Sequence, residues 1–129
     1  MPTHMRVARA TDNLEKIVNF YHDGLGFSVI GSFEDHDGFD GVMMGHAGAQ
    51  YHLEFTQQRG VTAGRAPTEE NLLVFYLPDE DVWQMAVQRM RDQGHEPVPS
   101  HNPYWDQRGV TFEDTDGYRV VLQNAAWEN

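Results

Sequence analysis

His52 and Glu54, two residues apart in an apolar run, are the residues whose types and spacing could do chemistry. Side chains alternate along a strand, so in the one predicted over Tyr51–Phe55, His52, Glu54 and Thr56 share a face. Glu54 beside His52 could serve as a general base if burial raised its pKa, which makes Glu54 the leading catalytic candidate. A second feature is His101-Asn102-Pro103-Tyr104-Trp105. Its Pro and Asn mark an irregular turn, and Tyr104 and Trp105 could stack on a planar or cationic ligand. Equally, they could plug the end of the core or a dimer interface, as large aromatics commonly do. There is no cysteine, so a metal would need His, Asp, Glu or Gln ligands. No Ser-His-Asp order and no glycine-rich phosphate loop is present. His22, His36, His46 and His95 have no partners at ligand spacing.

The elements that must position these side chains repeat. Residues 4–57 and 70–124 each read as a strand, an amphipathic helix and three strands, with opening and closing strands about 48 residues apart in both copies. The first helix is predicted over Asn13–His22, with Leu14, Ile17, Val18 and Tyr21 at helical spacing, Thr11 or Asp12 as cap and Gly24 as stop. The second is predicted over Val82–Gln93, with Val82, Met85, Ala86, Arg89 and Met90 on its apolar face, Asp79 as cap and Gly94 as stop. Turns are expected at Asp37-Gly38, Ala47-Gly48 and Asp116-Gly117, and a linker over residues 58–69.

At 129 residues the chain suits a single domain, 1–129, whose two modules share a core. No run is long enough to span a bilayer and no signal peptide is visible, so a cytoplasmic protein without membrane contact is expected. The formal net charge of -11 argues against nucleic acid, which needs a clustered positive face.

The runs Asn19-Phe20-Tyr21-His22-Asp23-Gly24-Leu25-Gly26-Phe27 and Phe112-Glu113-Asp114-Thr115-Asp116-Gly117-Tyr118 resemble the FY...LGF and DPDG signatures of the vicinal oxygen chelate superfamily. That group includes glyoxalase I, extradiol dioxygenases, fosfomycin-modifying enzymes and bleomycin-resistance proteins. The resemblance covers nearly the whole chain. It implies an α+β fold of two tandem βαβββ modules whose curled mixed sheets form a cleft, commonly completed by a homodimer. It does not name a reaction.

Members that use a metal take ligands from the opening and closing strand of each module. The corresponding positions here are Arg6, Glu54, Leu72 and Val121. Leucine and valine offer no lone pair, and arginine stays protonated. The resemblance therefore implies a member without the family metal, and no cofactor is expected. Arg6 should face Glu54 and take the place of the cation, either as a polar anchor for a ligand or as an ordinary ion pair. It would also lower the pKa of Glu54 and make it a poor base.

Alternation adds His52, Val74, Tyr76, Arg119 and Gln123 to the cleft wall. The expected ligand-binding set is thus Arg6, His52, Glu54, Tyr76, Tyr104, Trp105 and Arg119. Apolar surface with a few polar groups suits an organic small molecule, and two arginines favour an acidic group on it. Such a protein would sequester or sense its ligand, as bleomycin-resistance proteins do. The alternative is a glyoxalase-class lyase, isomerase or dioxygenase holding Zn, Fe, Ni or Mn on His4, His52 and Glu54, two histidines and a carboxylate of the kind non-haem iron enzymes use. A third reading is a protein-interaction module, its cleft filled by Trp105.

Overall fold

The computed structural model describes residues 3–128, which divide between Gly64 and Arg65 into two compact units. In the first, β1 (Met5–Ala10), α1 (Leu14–Val18), a π-helical turn (Asn19–Gly24), β2 (Ser28–His36), β3 (Phe39–Gly45) and β4 (Tyr51–Gln58) follow in order. The four strands form one sheet ordered β1-β4-β3-β2, with β1 parallel to β4 and the other pairs antiparallel. This is the βαβββ module that the repeat predicts.

Alternation divides the two faces of this sheet. Leu53 and Phe55 of β4 and Met44 of β3 pack with Ile17, Phe20, Tyr21 and Phe27, and all seven are buried. His52, Glu54 and Thr56 consequently point to the opposite face. The helix is shorter than predicted because neighbouring Phe20 and Tyr21 are both buried. The wider π turn, closed by the Leu25 amide donating to the Phe20 carbonyl at 3.1 Å, contains both rings. Its cap is neither Thr11 nor Asp12 but Asn13, whose side chain accepts from the Lys16 amide. Asp12 instead accepts from the amides of Ala63 and Gly64 at 2.6 and 3.0 Å and ties the linker to the helix start.

The β2–β3 hairpin turns on Asp37 and Gly38 at φ +53° and +86°, the left-handed pair that a two-residue turn requires. The outer strand β2 breaks register twice against β3, between Val29 and Gly31 and between Phe33 and His36.

The second unit contains β5 (Leu72–Tyr76), α2 (Glu80–Asp92), α3 (Tyr104–Gln107), β6 (Gly109–Glu113) and β7 (Arg119–Gln123). Its sheet is ordered β5-β7-β6, with β5 parallel and β6 antiparallel to the buried central strand β7. The remaining strand of the repeat is reduced to a single bridge, Val98 to Thr111. Pro97 and Pro99 flank Val98 and have no N–H, which leaves one residue able to pair. The His101–Trp105 segment, expected to be irregular, ends in the short helix α3.

Asp79 caps α2 as predicted, its carboxylate accepting from the Val82 amide. The predicted apolar face is rotated, however. Val82 and Met85 are 51% and 73% exposed, while Met90 is fully buried and the Trp83 indole N–H donates to the Leu122 carbonyl at 2.8 Å. Trp83, Ala86, Val87 and Met90 therefore form the sheet-facing stripe at i, i+3, i+4 and i+7. Among the described residues, no helix is long and apolar enough to cross a membrane.

Candidate functional site

On the first unit, the parallel register places Arg6 opposite His52 and Ala8 opposite Glu54, so Arg6 lies diagonally beside Glu54. The Arg6 Nη1 donates to Glu54 Oε2 at 3.1 Å, and its Nε donates to His52 Nε2 at 2.8 Å. His4, two residues before Arg6, brings its Nε2 to 2.6 Å from His52 Nδ1. His4, Arg6, His52 and Glu54 thus form one cluster on the sheet face away from the core. The Arg6 side chain is 49% exposed and that of Glu54 15% exposed, so the cation carries most of the accessible charge.

His52 is held below the ordinary imidazole range. Partial burial is the largest cause, followed by the charge of Arg6 and by His4, while Glu54 pulls the other way. The ring is therefore neutral at physiological pH.

The second unit brings Leu72, Ser100, Trp105, Thr111, Arg119 and Glu69 around a shallow depression open to solvent, with an enclosed volume of only about 10 Å3. Arg119 opposes Leu72 across β7 and β5, and its side chain is only 9% exposed. Its Nη1 donates to the Pro99 carbonyl at 3.0 Å, Nη2 lies 3.3 Å from Glu69, and Nε lies 3.6 Å from Glu113. Two carboxylates therefore already balance this arginine. Sequence reasoning missed Glu69 and Glu113, because their pairing depends on long-range register.

Trp105 is half-buried at the pocket wall, and Tyr104 is 56% exposed with its ring edge-on to Trp105 at 5.0 Å. Tyr76 opposes Gln123 at the far end of the same sheet face from Arg119. It packs on Trp127, an exposed aromatic near the C-terminus that no periodicity singles out, with ring centres 6.0 Å apart.

The positions at which the resemblance places metal ligands hold a guanidinium, a carboxylate and two hydrocarbon side chains, with Val121 fully buried. That donor set does not fit a metal ion. In the alternative set, His4 and His52 turn nitrogens toward each other, and Arg6 donates to both His52 and Glu54. Among the described residues no group of three or more His, Asp or Glu side chains is arranged to hold a metal.

Comparison with known proteins agrees with this architecture. Residues 5–56 match the model of the YycE-like N-terminal domain and residues 70–124 that of the YycE-like C-terminal domain. YycE of Bacillus subtilis (strain 168) is 44% identical over 121 residues, spanning 94% of this chain and 87% of that protein. A crystal structure of a Bacillus subtilis YycE, described as of glyoxalase/fosfomycin-resistance type, superposes with a TM-score of 0.91 at 41% identity, covering 99% of this chain and 93% of that one.

More distant folds include the trypanothione-dependent glyoxalase I of Leishmania major, with TM-score 0.72 at 19% identity over 93% of this chain and 84% of that one. TnmS3, an antibiotic-binding protein of Streptomyces sp. CB03234, gives 0.64 at 19% identity over 95% of each chain. Those two likenesses establish the fold alone, and one belongs to an enzyme and the other to a binder. On the near-complete similarity to YycE and the paired modules that carry it, the chain belongs to the YycE-like family of the vicinal oxygen chelate superfamily.

Proposed function

We propose that this protein binds an organic small molecule without a metal, as a sequestering or sensing protein, with Arg6 standing where metal-using relatives place their cation. The observation that supports this reading most strongly is the Arg6 guanidinium itself, bonded to Glu54 and His52 at 3.1 and 2.8 Å at the closing strand of the first module. A guanidinium cannot lose its proton to make room for a ligated ion, and it binds planar oxygen groups through parallel N–H donors. The half-buried Trp105 beside Leu72 adds a small apolar surface at a shallow depression of the second unit. The likeness to an antibiotic-binding fold is compatible with this role. We assign the protein to the cytoplasm as a homodimer, and sedimentation equilibrium tests the dimer.

The competing reading is a metal-dependent lyase, isomerase or dioxygenase on His4, His52 and Glu54, which share one sheet face but are bonded to one another and to Arg6. The test is metal content by mass spectrometry on untagged protein after incubation with zinc, iron, nickel and manganese. Our reading expects no retained metal and ligand-induced thermal shifts that Arg6→Leu abolishes. About one equivalent of tightly held metal, lost in Glu54→Ala, would establish the enzyme reading instead.

A further inference from the structure

Resting on the proposed metal-free binding role, we infer that the Arg6–His52–His4 chain of hydrogen bonds locks both histidine tautomers, and that the resulting donor-lined face takes an organic carboxylate with an apolar body. Arginine has five N–H donors and no acceptor. Its Nε donates to His52 Nε2 at 2.8 Å, so that nitrogen carries a lone pair and the ring proton is on Nδ1. The Nδ1–H then donates to His4 Nε2 at 2.6 Å. His4 must accept there, which puts its own proton on Nδ1, directed away from His52. A donor-only residue at one end therefore fixes the hydrogen positions of two imidazoles in series.

The groups left to meet a ligand are mainly donors. Arg6 Nη2 and His4 Nδ1–H have no partner among the described residues, and one oxygen of the better-buried Glu54 is engaged by Arg6. Arg6 and Glu54 sum to zero charge, which disfavours a dianion, while the more exposed member is the cation. One carboxylate matches that balance and the planar donor geometry.

The next strand supplies the apolar seat. Met43 lies opposite Glu54, and Gly45 lies opposite His52. A side chain built on Gly45 would meet Ile30 at 3.3 Å and His52 at 3.4 Å, so the missing side chain leaves a shallow groove between them. Ile30 is 58% exposed and forms its apolar wall.

The experiment is 15N NMR of the imidazoles combined with titration of benzoate and, as its cationic counterpart, benzylamine. We expect His52 and His4 both protonated at Nδ1, and benzoate shifting the Arg6 Nε and His4 Nδ1 resonances with at least about tenfold tighter binding than benzylamine. Arg6→Leu should abolish the benzoate response and free the His52 tautomer. Arg6→Lys should keep a weaker response, since it retains charge without the fork. A His52 protonated at Nε2, equal or tighter binding of benzylamine, or no response to benzoate would overturn the inference. Retained stoichiometric metal would instead defeat the underlying metal-free reading, and is scored separately by mass spectrometry.

Discussion

Replacing Asp114 with Ala should destabilise the second unit by about 2–4 kcal/mol, while replacing it with Asn should cost roughly 1 kcal/mol. Asp114 is 5% exposed, and its Oδ1 accepts from the amides of Asp116 at 2.9 Å and Tyr118 at 3.1 Å. It therefore closes the β6–β7 turn from inside, beside the backbone bond from the Gly117 amide to its own carbonyl. Alanine strands one buried and one partly buried N–H, each worth about 1–3 kcal/mol when left unpaired, whereas asparagine keeps an acceptor at the same place. For a chain of this length about 4 °C of melting temperature accompanies each kcal/mol, so the two variants should separate by roughly 4–12 °C. Urea unfolding followed by near-ultraviolet circular dichroism measures both. Equal losses for the two variants, or a loss below about 1 kcal/mol for alanine, would show that accepting these amides is not what Asp114 contributes.

Trp83→Phe should cost about 1–2 kcal/mol by removing the donor to the Leu122 carbonyl, while Met85→Gln should stay within about 0.5 kcal/mol because that side chain faces water; thermal melts compare them. Gly117→Ala should cost about 1–2 kcal/mol, since φ is +89° and the new Cβ would meet Arg65 Nη2 at 2.8 Å; the same melts read it. His52 and His95 both bind protons less readily when folded than an ordinary imidazole, the first through burial, Arg6 and His4, the second through burial. The unfolded chain then takes up more protons, so their contribution to stability is complete above about pH 6.5 and declines as pH falls below it. The urea midpoint should drop between about pH 7.5 and 5.5, and His52→Gln should flatten that dependence; an unchanged slope would refute the assignment.

Much of the first unit was legible because period-2 alternation fixes which face a side chain takes. Arg6, His52 and Glu54 share a face, as expected, and their spacing along two parallel neighbours leaves little room for another outcome. Helix capping was less legible: Thr11, Asp12 and Asn13 are all competent caps, and only the placement of Ala63 and Gly64 decides which of them is drawn elsewhere. On α2, apolar residues occupy two stripes, so Val82 and Met85 competed with Trp83 and Val87 until the sheet selected one face. The environment of Arg119 was not visible, because Glu69, Pro99 and Glu113 reach it from three separate segments. That enclosure leaves Arg119 balanced by carboxylates and not a free cation for a ligand.

The irregular register of β2 bears on how the protein behaves when concentrated. An outer strand offers a row of unpaired amides and carbonyls to which the strand of another molecule can add, and successive additions build insoluble ladders. Here two breaks in pairing, a left-handed Asp35 at φ +47° and the charges of Glu34 and Asp35 interrupt that row. An incoming strand would have to reproduce both dislocations and bring its own backbone beside two carboxylates. The β2 edge is thereby a poor template for growth, which protects the sheet from adding strands on that side.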